Sequence, residues 1–354
     1  MTLAVPVPRP PTPASVSGRP QRPPRRPAAP VAVPELSVVI VNYRQWGDTA
    51  ELVRQLTASA CVRKGAAEVV VVDNHSPPHP LAARLRRRRG VSLRRWGRNR
   101  GFARAVNEGC RLSRGDWFLL LNPDMTVEEG FLDEVLALAG RLAAEEPRAG
   151  IVGFQLRNRD GSRQLSAGPF PTLLRTLAGL ALPRYRRKYS RLAPPRRCRV
   201  PWVTGCCLLV RRDCLADLGG LDEDFFLYYE DVDLCRRARE RGWTVWHEPA
   251  LRVTHHRPLH TRAVPAHLRV VTRHALLTYA AKHWPGWQLR GLAGCVRAEA
   301  CLRQAWAWWH GEAETAELFG DLRAIAADVA GRRTRKARRR LDRVVRRQEE
   351  RLGA

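Results

Sequence analysis

Polar residues with catalytic potential recur just after the most apolar runs of this chain. Asn42-Tyr43 follows the run from Leu36 to Val41, Asp73-Asn74 follows Val69 to Val72, and Asn122-Pro123-Asp124 follows Trp117 to Leu121. Asp and Asn favour turns and helix caps, so any one of the three could be ordinary turn chemistry. Three at successive strand ends suit another task, because grouped carboxylate and amide oxygens are what a hard divalent cation and a nucleotide require. Further on, Glu230, Asp231 and Asp233 open a helical stretch after the lead-in Phe225-Phe226-Leu227-Tyr228-Tyr229. Acidic residues suit any helix N-terminus. Apolar rings around a carboxylate also desolvate it, which raises its pKa and makes it a better base. Thr254-His255-His256 then offers an imidazole that can join an upstream Asp on a metal. No Ser-His-Asp set and no activated Cys supplies a covalent nucleophile. Cys206 and Cys207 lie inside a strand-like run and read as small core residues.

The elements that must carry these residues are legible in the pattern. Leu36 to Val41 is a β-branched run of the kind buried on both faces of a sheet. A helix is predicted over Asp48 to Ala60 with Asp48 as its N-cap, then a strand at Val69 to Val72, a helix at Gly101 to Leu112 and a strand at Trp117 to Leu121. Strand and helix alternating in this way specify an α/β domain with a parallel sheet. Ligands of such sheets sit beyond the carboxyl ends of the strands, where the polar residues named above fall. Trp202 to Val210 is predicted as one strand entered through Gly205, and Trp243 to Trp246 as another. Residues 261–330 have helical spacing with a break at Trp284-Pro285.

The chain has 354 residues with 62 Lys plus Arg against 34 Asp plus Glu, a formal charge of +28. That length supports a large domain, and a hydrophobic content of 44% rules out a wholly disordered chain. Arg greatly outnumbers Lys throughout, with runs at 84–100, 184–199 and 332–351. Neither a helix-turn-helix nor an RNP-type strand accompanies them, so no specific nucleic acid is expected. Attraction to phosphate-rich partners, anionic lipid included, is the simpler inference. Trp306, Trp308 and Trp309 cluster before Gly311; they suit either helix packing or an interfacial belt, to which the 332–351 run would add charge. Residues 1–34 hold eleven of the 26 prolines and no acid, and are expected to be a disordered leader. No membrane-spanning run or secretory signal is evident, and nine scattered cysteines indicate neither a disulfide framework nor a zinc finger. A cytoplasmic protein, peripheral at the inner face of the cell membrane, is the expectation.

Taken in order, SVVIVNY at 37–43, VVVVDN at 69–74, GRNRGFARAVNEG at 97–109, LLLNPDM at 119–125, TGCCLLVRR at 204–212, FFLYYEDVDLCRRARERGW at 225–243 and VTHH at 253–256 resemble the inverting family 2 glycosyltransferases with the GT-A fold. The likeness is to the branch that includes bacterial rhamnosyltransferases. It implies a GT-A domain over 35–260 (a Rossmann-like, mostly parallel sheet flanked by helices), a helical C-terminal extension over 261–330 and a basic tail over 331–354. Asn42, Tyr43, Asp73, Arg98, Asn99, Gly101 and Asn122 would bind the donor nucleotide, with Asp73 accepting hydrogen bonds from base or ribose and Arg98 facing the diphosphate. Asp124 and His255, or else His256, would hold Mg²⁺ or Mn²⁺. Asn122 stands where the family has the first Asp of its D-x-D motif, which leaves one fewer charge on the cation. Asp231 would be the general base, Glu230 its neighbour, and Trp202, Gly205 and Asp233 would border the acceptor. The partners implied are a nucleotide-sugar donor, L-rhamnose on dTDP or another hexose, and a glycan or polyprenyl-linked acceptor. The competing expectation is a non-catalytic basic scaffold or nucleic-acid-binding protein on a degenerate GT-A domain, which would need none of Asp73, Asp124, Asp231 and the late histidine.

Overall fold

The β-branched runs form strands covered on both faces in the computed structural model, which describes residues 33–179, 196–257 and 264–353. The leader expected over 1–34 therefore lies almost wholly outside the described residues, as does the basic stretch 184–195. The main strands are β1 (Leu36–Asn42), β2 (Ala67–Asp73), β3 (Val91–Arg95), β4 (Trp117–Leu121), β5 (Met125–Val127), β6 (Ala149–Arg157), β7 (Cys207–Arg211) and β8 (Thr244–His255). They lie in the order β3-β2-β1-β4-β7-β6-β8-β5. The first four are parallel, and their register sets Asn42 opposite Asp73. β7 runs antiparallel to both β4 and β6, so the sheet is parallel at its first half and mixed beyond it.

Period-two alternation explains why these strands need cover on both sides. Val39, Val41, Phe118, Leu120, Leu208 and Val210 enter one core, while Val38, Ile40, Leu119, Leu121 and Leu209 enter the other. Helices α1 (Trp46–Thr57), α2 (Ala60–Lys64), α3 (Pro80–Arg86), α4 (Phe102–Leu112) and α5 (Phe131–Glu145) supply that cover. Each fully buried Val, Leu or Ile side chain contributes about 1.5–3 kcal/mol, so the two layers hold the strand ends firmly. Two local differences from the pattern reading have physical causes. Asp48 falls in the first turn of α1, not at its N-cap, where its carboxylate still complements the positive helix end. The stretch predicted as one strand from Trp202 to Val210 is broken: Trp202–Val203 pairs with Ala167–Gly168, and only Cys207–Arg211 joins the large sheet. Thr204-Gly205-Cys206 between them turns a backbone amide towards Asp231.

After the short α6 (Leu173–Gly179) and α7 (Glu230–Glu240), the chain ends in four helices: α8 (Ala266–His283), α9 (Gly286–Trp309), α10 (Ala313–Ala330) and α11 (Thr334–Gly353). Trp284-Pro285 separates α8 from α9 as the sequence indicates. The stretch read as a basic tail is largely α11, packed through Ala337, Leu341 and Val344 into the first core. Part of its charge is matched inside the molecule. Arg340 meets Asp328 at 2.8 Å, Arg347 meets Glu317 and Asp321, and Arg351 meets Glu314. Among the described residues no helix is long and apolar enough to cross a membrane.

Candidate active site

The carboxyl ends of β1, β2 and β4 open on a cavity of about 660 Å³, a size suited to a nucleotide-sugar. Its floor and walls come from both halves of the sheet, and its roof comes from α8 and α11. Tyr43, Asn74, Asn99, Asn122, Asp124, Gly205, Glu230, Asp231 and His255 all line it. Residues up to 212 positions apart in sequence thus meet, because they stand at or beside strand ends and helix starts on the same rim.

On the β1–β2 side the polar groups are bound to one another. Asn42 Nδ2 donates to Asp73 Oδ1 at 2.9 Å and to Ser76 Oγ at 3.0 Å, while Asn42 Oδ1 accepts from Thr49 Oγ1. Arg95 Nε donates to the other Asp73 oxygen at 2.9 Å. Asn42 and Asp73, expected to touch the nucleotide, are wholly buried and fully engaged inside the protein. Their neighbours face the cavity instead. Asn74 Nδ2 donates to Asn99 Oδ1 at 2.8 Å, and Asn74 Oδ1 accepts the backbone amide of Arg100, so the loop after β3 is clamped to the end of β2. Gly101 closes this loop at φ +93°, and a Cβ there would stand 2.8 Å from the Phe226 carbonyl oxygen. Glycine is therefore required both by backbone angle and by space. Arg98 is exposed and outside the lining; Arg257, Arg269 and Arg273 are the cavity's arginines.

Across the cavity, Asp124 Oδ2 and His255 Nε2 converge at 3.4 Å, both nearly buried. Burial by itself pushes the Asp124 carboxyl up, but its contact with the His255 imidazole and the charge of Arg257 outweigh this and hold it low. His256 turns away, with Nε2 2.6 Å from Thr126 Oγ1, so His255 is the imidazole that faces Asp124. Gln164, which the sequence reading missed, lies 3.0 Å from His255 Nδ1, and its own buried Oε1 has no partner. Rotating that amide would place Oε1 on Nδ1–H and leave Nε2 with a lone pair for a cation. Among the described residues no third His, Cys, Asp or Glu joins the pair. Asp124 and His255 thus fit a divalent cation that takes its other ligands from phosphate and water.

The Glu230-Asp231 pair is presented by an unusual turn. Tyr228 and Tyr229 both adopt left-handed backbone angles, φ +74° and +67°, immediately before α7. Two adjacent non-glycine residues in this region store strain, a feature that clusters at functional sites. Asp231 Oδ2 accepts the Gly205 amide at 3.0 Å and Oδ1 accepts the Val232 amide at 2.9 Å, which fixes the carboxylate plane. Asp233 and Trp202, expected beside the acceptor, are outside the lining. Asp233 is fully buried between His283 Nε2 at 2.7 Å and Arg237 Nε at 2.7 Å, tying α7 to α8. Trp202 is fully buried and donates from Nε1 to the Pro169 carbonyl at 2.8 Å.

A profile of the family described as "Glycosyltransferase like family 2" matches residues 34–274. The chain belongs to that family. It is an enzyme of the glycosyltransferase class, and its similarity extends through most of its length. It is 33% identical over 290 residues to N-acetylglucosaminyl-diphospho-decaprenol L-rhamnosyltransferase of Mycobacterium tuberculosis, covering 76% of this chain and 91% of that one. It is 27% identical over 242 residues to the low-salt glycan biosynthesis hexosyltransferase Agl10 of Haloferax volcanii, covering 64% and 68% respectively. The crystal structure of GalNAc-T7 with UDP, GalNAc and Mn²⁺ superposes with a TM-score of 0.50 at 17% identity, covering 71% of this chain and 50% of that one. That likeness establishes the α/β GT-A fold, here with a C-terminal helical region.

Proposed function

We propose that this glycosyltransferase moves an L-rhamnosyl group from a dTDP-linked donor to a glycan hydroxyl on a polyprenyl diphosphate, with inversion. The observation that carries the reading is the meeting, in one cavity, of the oriented carboxylate Asp231 with the Asp124–His255 pair. The sugar class and the lipid carrier follow the mycobacterial relative, which is similar along nearly its whole length. The nucleoside would lie against Tyr43, Asn74 and Asn99, on a rim held rigid by Asn42, Asp73 and Arg95. Its diphosphate would extend towards Asp124 and His255, with Arg257 adding positive charge.

The chemistry is a single displacement. Asp231 takes the proton of the acceptor hydroxyl as its oxygen bonds to the anomeric carbon, and the bond from that carbon to the diphosphate oxygen breaks. The nucleoside diphosphate leaves with the bonding pair, and the proton remains on Asp231. Glu230, beside it on the first turn of α7, orients the acceptor. A bound Mg²⁺ or Mn²⁺ supplies charge neutralisation for the departing diphosphate without a proton donor. Asp124 and His255 would hold it, and Gln164 would set the imidazole tautomer. The manganese in the GalNAc-T7 structure accords with this assignment. The test is transfer of labelled rhamnose from dTDP-L-rhamnose to a short polyprenyl-diphosphate-linked N-acetylglucosamine, with the product anomer read by NMR. Transfer with inverted configuration supports the reading; retained configuration, or no transfer from any nucleotide-sugar, overturns it.

A further inference from the structure

We propose that α9, together with the adjoining α6, docks flat on an anionic lipid surface through an apolar face rimmed by arginine. Ten large hydrophobic residues are exposed in the described chain, and seven of them lie on these two helices. On α9 they are Trp287, Leu302, Trp306, Trp308 and Trp309, with exposures from 55% to 88%; on α6 they are Leu174 and Leu177. Helical spacing aligns most of the α9 set. Trp287, Leu302, Trp306 and Trp309 share one side; the exposed positions between them on that side are Gly291, Gly294, Cys295, Ala298, Cys301 and Ala305, with Arg290 and Arg297 at its edge. A helix of 24 residues, roughly 36 Å long, carries this stripe, and no acidic residue falls within it. The opposite face, through Leu289, Leu292, Ala293, Val296 and Ala300, is buried in the molecule.

The composition of the stripe and its rim identifies the occupant. Indole rings combine an apolar body with an N–H donor and concentrate at lipid–water boundaries. The exposed charges of α9 are Arg290 and Arg297, and its single acid, Glu299, is held by Arg273 at 2.7 Å and Arg303 at 3.1 Å. An apolar face flanked by arginine and free of unmatched acid complements anionic headgroups. A second copy of a chain carrying +28 would instead be repelled. No described helix can cross a bilayer, so the stripe lies along the surface.

The face is also joined to the cavity wall. Trp202 donates to the Pro169 carbonyl and Trp284 donates to the Pro171 carbonyl at 3.0 Å, so residues 169–171 link the strand entering Gly205 to the start of α9. A Cβ placed at Gly291 would stand 3.8 Å from Leu173 Cδ2, so α6 lies beside this part of α9. Docking would therefore bring the Gly205–Asp231 wall towards the bilayer that carries a lipid-linked acceptor. That use rests on the proposed function, whereas the docking itself stands on the face alone. The 332–351 stretch is not needed for this docking: Arg340, Arg347 and Arg351 of α11 are engaged by acids of α10, while Arg335, Arg339, Arg343 and Arg346 stay exposed.

The test is sedimentation of the full chain with phosphatidylcholine–phosphatidylglycerol vesicles, and with phosphatidylcholine alone, at physiological salt. The wild type should pellet with the anionic vesicles only. Leu302→Ala/Trp309→Ala, at two of the most exposed positions, should weaken partitioning by about tenfold, while Arg86→Ala/Arg89→Ala, exposed elsewhere, should change it by less than about twofold. Each variant is checked for an unchanged melting temperature and an unchanged shift with dTDP, so loss of docking and loss of donor binding read out separately. Three results would overturn the proposal: wild type remaining in the supernatant, equal loss from both double variants, or a wild-type dimer that Leu302→Ala/Trp309→Ala converts to monomer.

Discussion

The β1–β2 rim and the Glu230–His255 side of the cavity use the same residue types in opposite ways. On the rim, Asn42 and Asp73 turn inward and satisfy each other, Thr49, Ser76 and Arg95, so their contribution is rigidity. On the far side, Asp124, His255, Glu230 and Asp231 line the cavity itself. The backbone differs in the same sense. The rim strands are regular and parallel and each turns off through a single left-handed residue, Arg44 or His75, whereas the acidic pair is delivered by two consecutive left-handed tyrosines. A frame can be held by polar groups whose hydrogen bonds close on one another. A site that reacts needs polar groups pointed at space, with their orientation enforced by neighbours.

Substitutions on the two sides should therefore fail differently. Asp231→Asn keeps shape and removes the base; transfer should fall by about a thousandfold while affinity for dTDP stays within about twofold. Steady-state assays paired with calorimetric titration check this, and near wild-type turnover would remove Asp231 as base. Asp233→Ala, two residues on, should act on stability, costing about 3 kcal/mol because Arg237 and His283 lose a buried partner. Burial pushes the Asp233 carboxyl up, but the His283 hydrogen bond and the Arg237 charge more than offset this and leave it low. Its stabilisation is accordingly present above the unfolded carboxylate value of about 4 and disappears as pH falls through the lower folded value. Melting curves below about pH 4 should show a shallower acid decline in Asp233→Asn than in wild type.

Smaller changes sharpen the contrast. A Cβ at Gly205 would stand 3.1 Å from the Asp231 Cβ, so Gly205→Ala should displace the carboxylate and lower kcat by about tenfold with little change in donor affinity. Tyr43 Oη meets Glu349 Oε1 at 3.2 Å, and Arg44 donates to the Leu352 carbonyl, which brings α11 over the β1–β2 rim. Glu349→Ala should raise the donor KM about threefold with kcat nearly unchanged, since it loosens a roof contact and leaves the reacting groups alone.

The strand ends were readable because buried β-branched runs followed by Asp or Asn leave few other assignments, and β4 spans Trp117–Leu121 as the pattern indicates. Which residue of each pair faces the ligand was not readable. A strand's last residues leave the pleat, and the turn dihedrals decide whether Asp73 or Asn74 looks outward. The motif singles out both histidines, and that His255 faces Asp124 while His256 turns away depends on Thr126, 130 positions from His256. Gln164 carried no local signal, because an amide in a short strand is ordinary until its imidazole partner is known. α11 did carry one: Ala337, Leu341 and Val344 recur at helical spacing within the basic run. High charge density masked a packed helix as a tail.

The central claim is that one cavity binds a nucleoside diphosphate through a cation held by Asp124 and His255. Thermal unfolding of wild type and Asp124→Ala with dTDP, with and without Mn²⁺, tests it most directly, since a ligand that binds only the folded state raises the melting temperature. The expected result is a shift in wild type that requires both dTDP and Mn²⁺ and is lost in Asp124→Ala. An equal Mn²⁺-dependent shift in Asp124→Ala, or no shift in folded wild type, would contradict it.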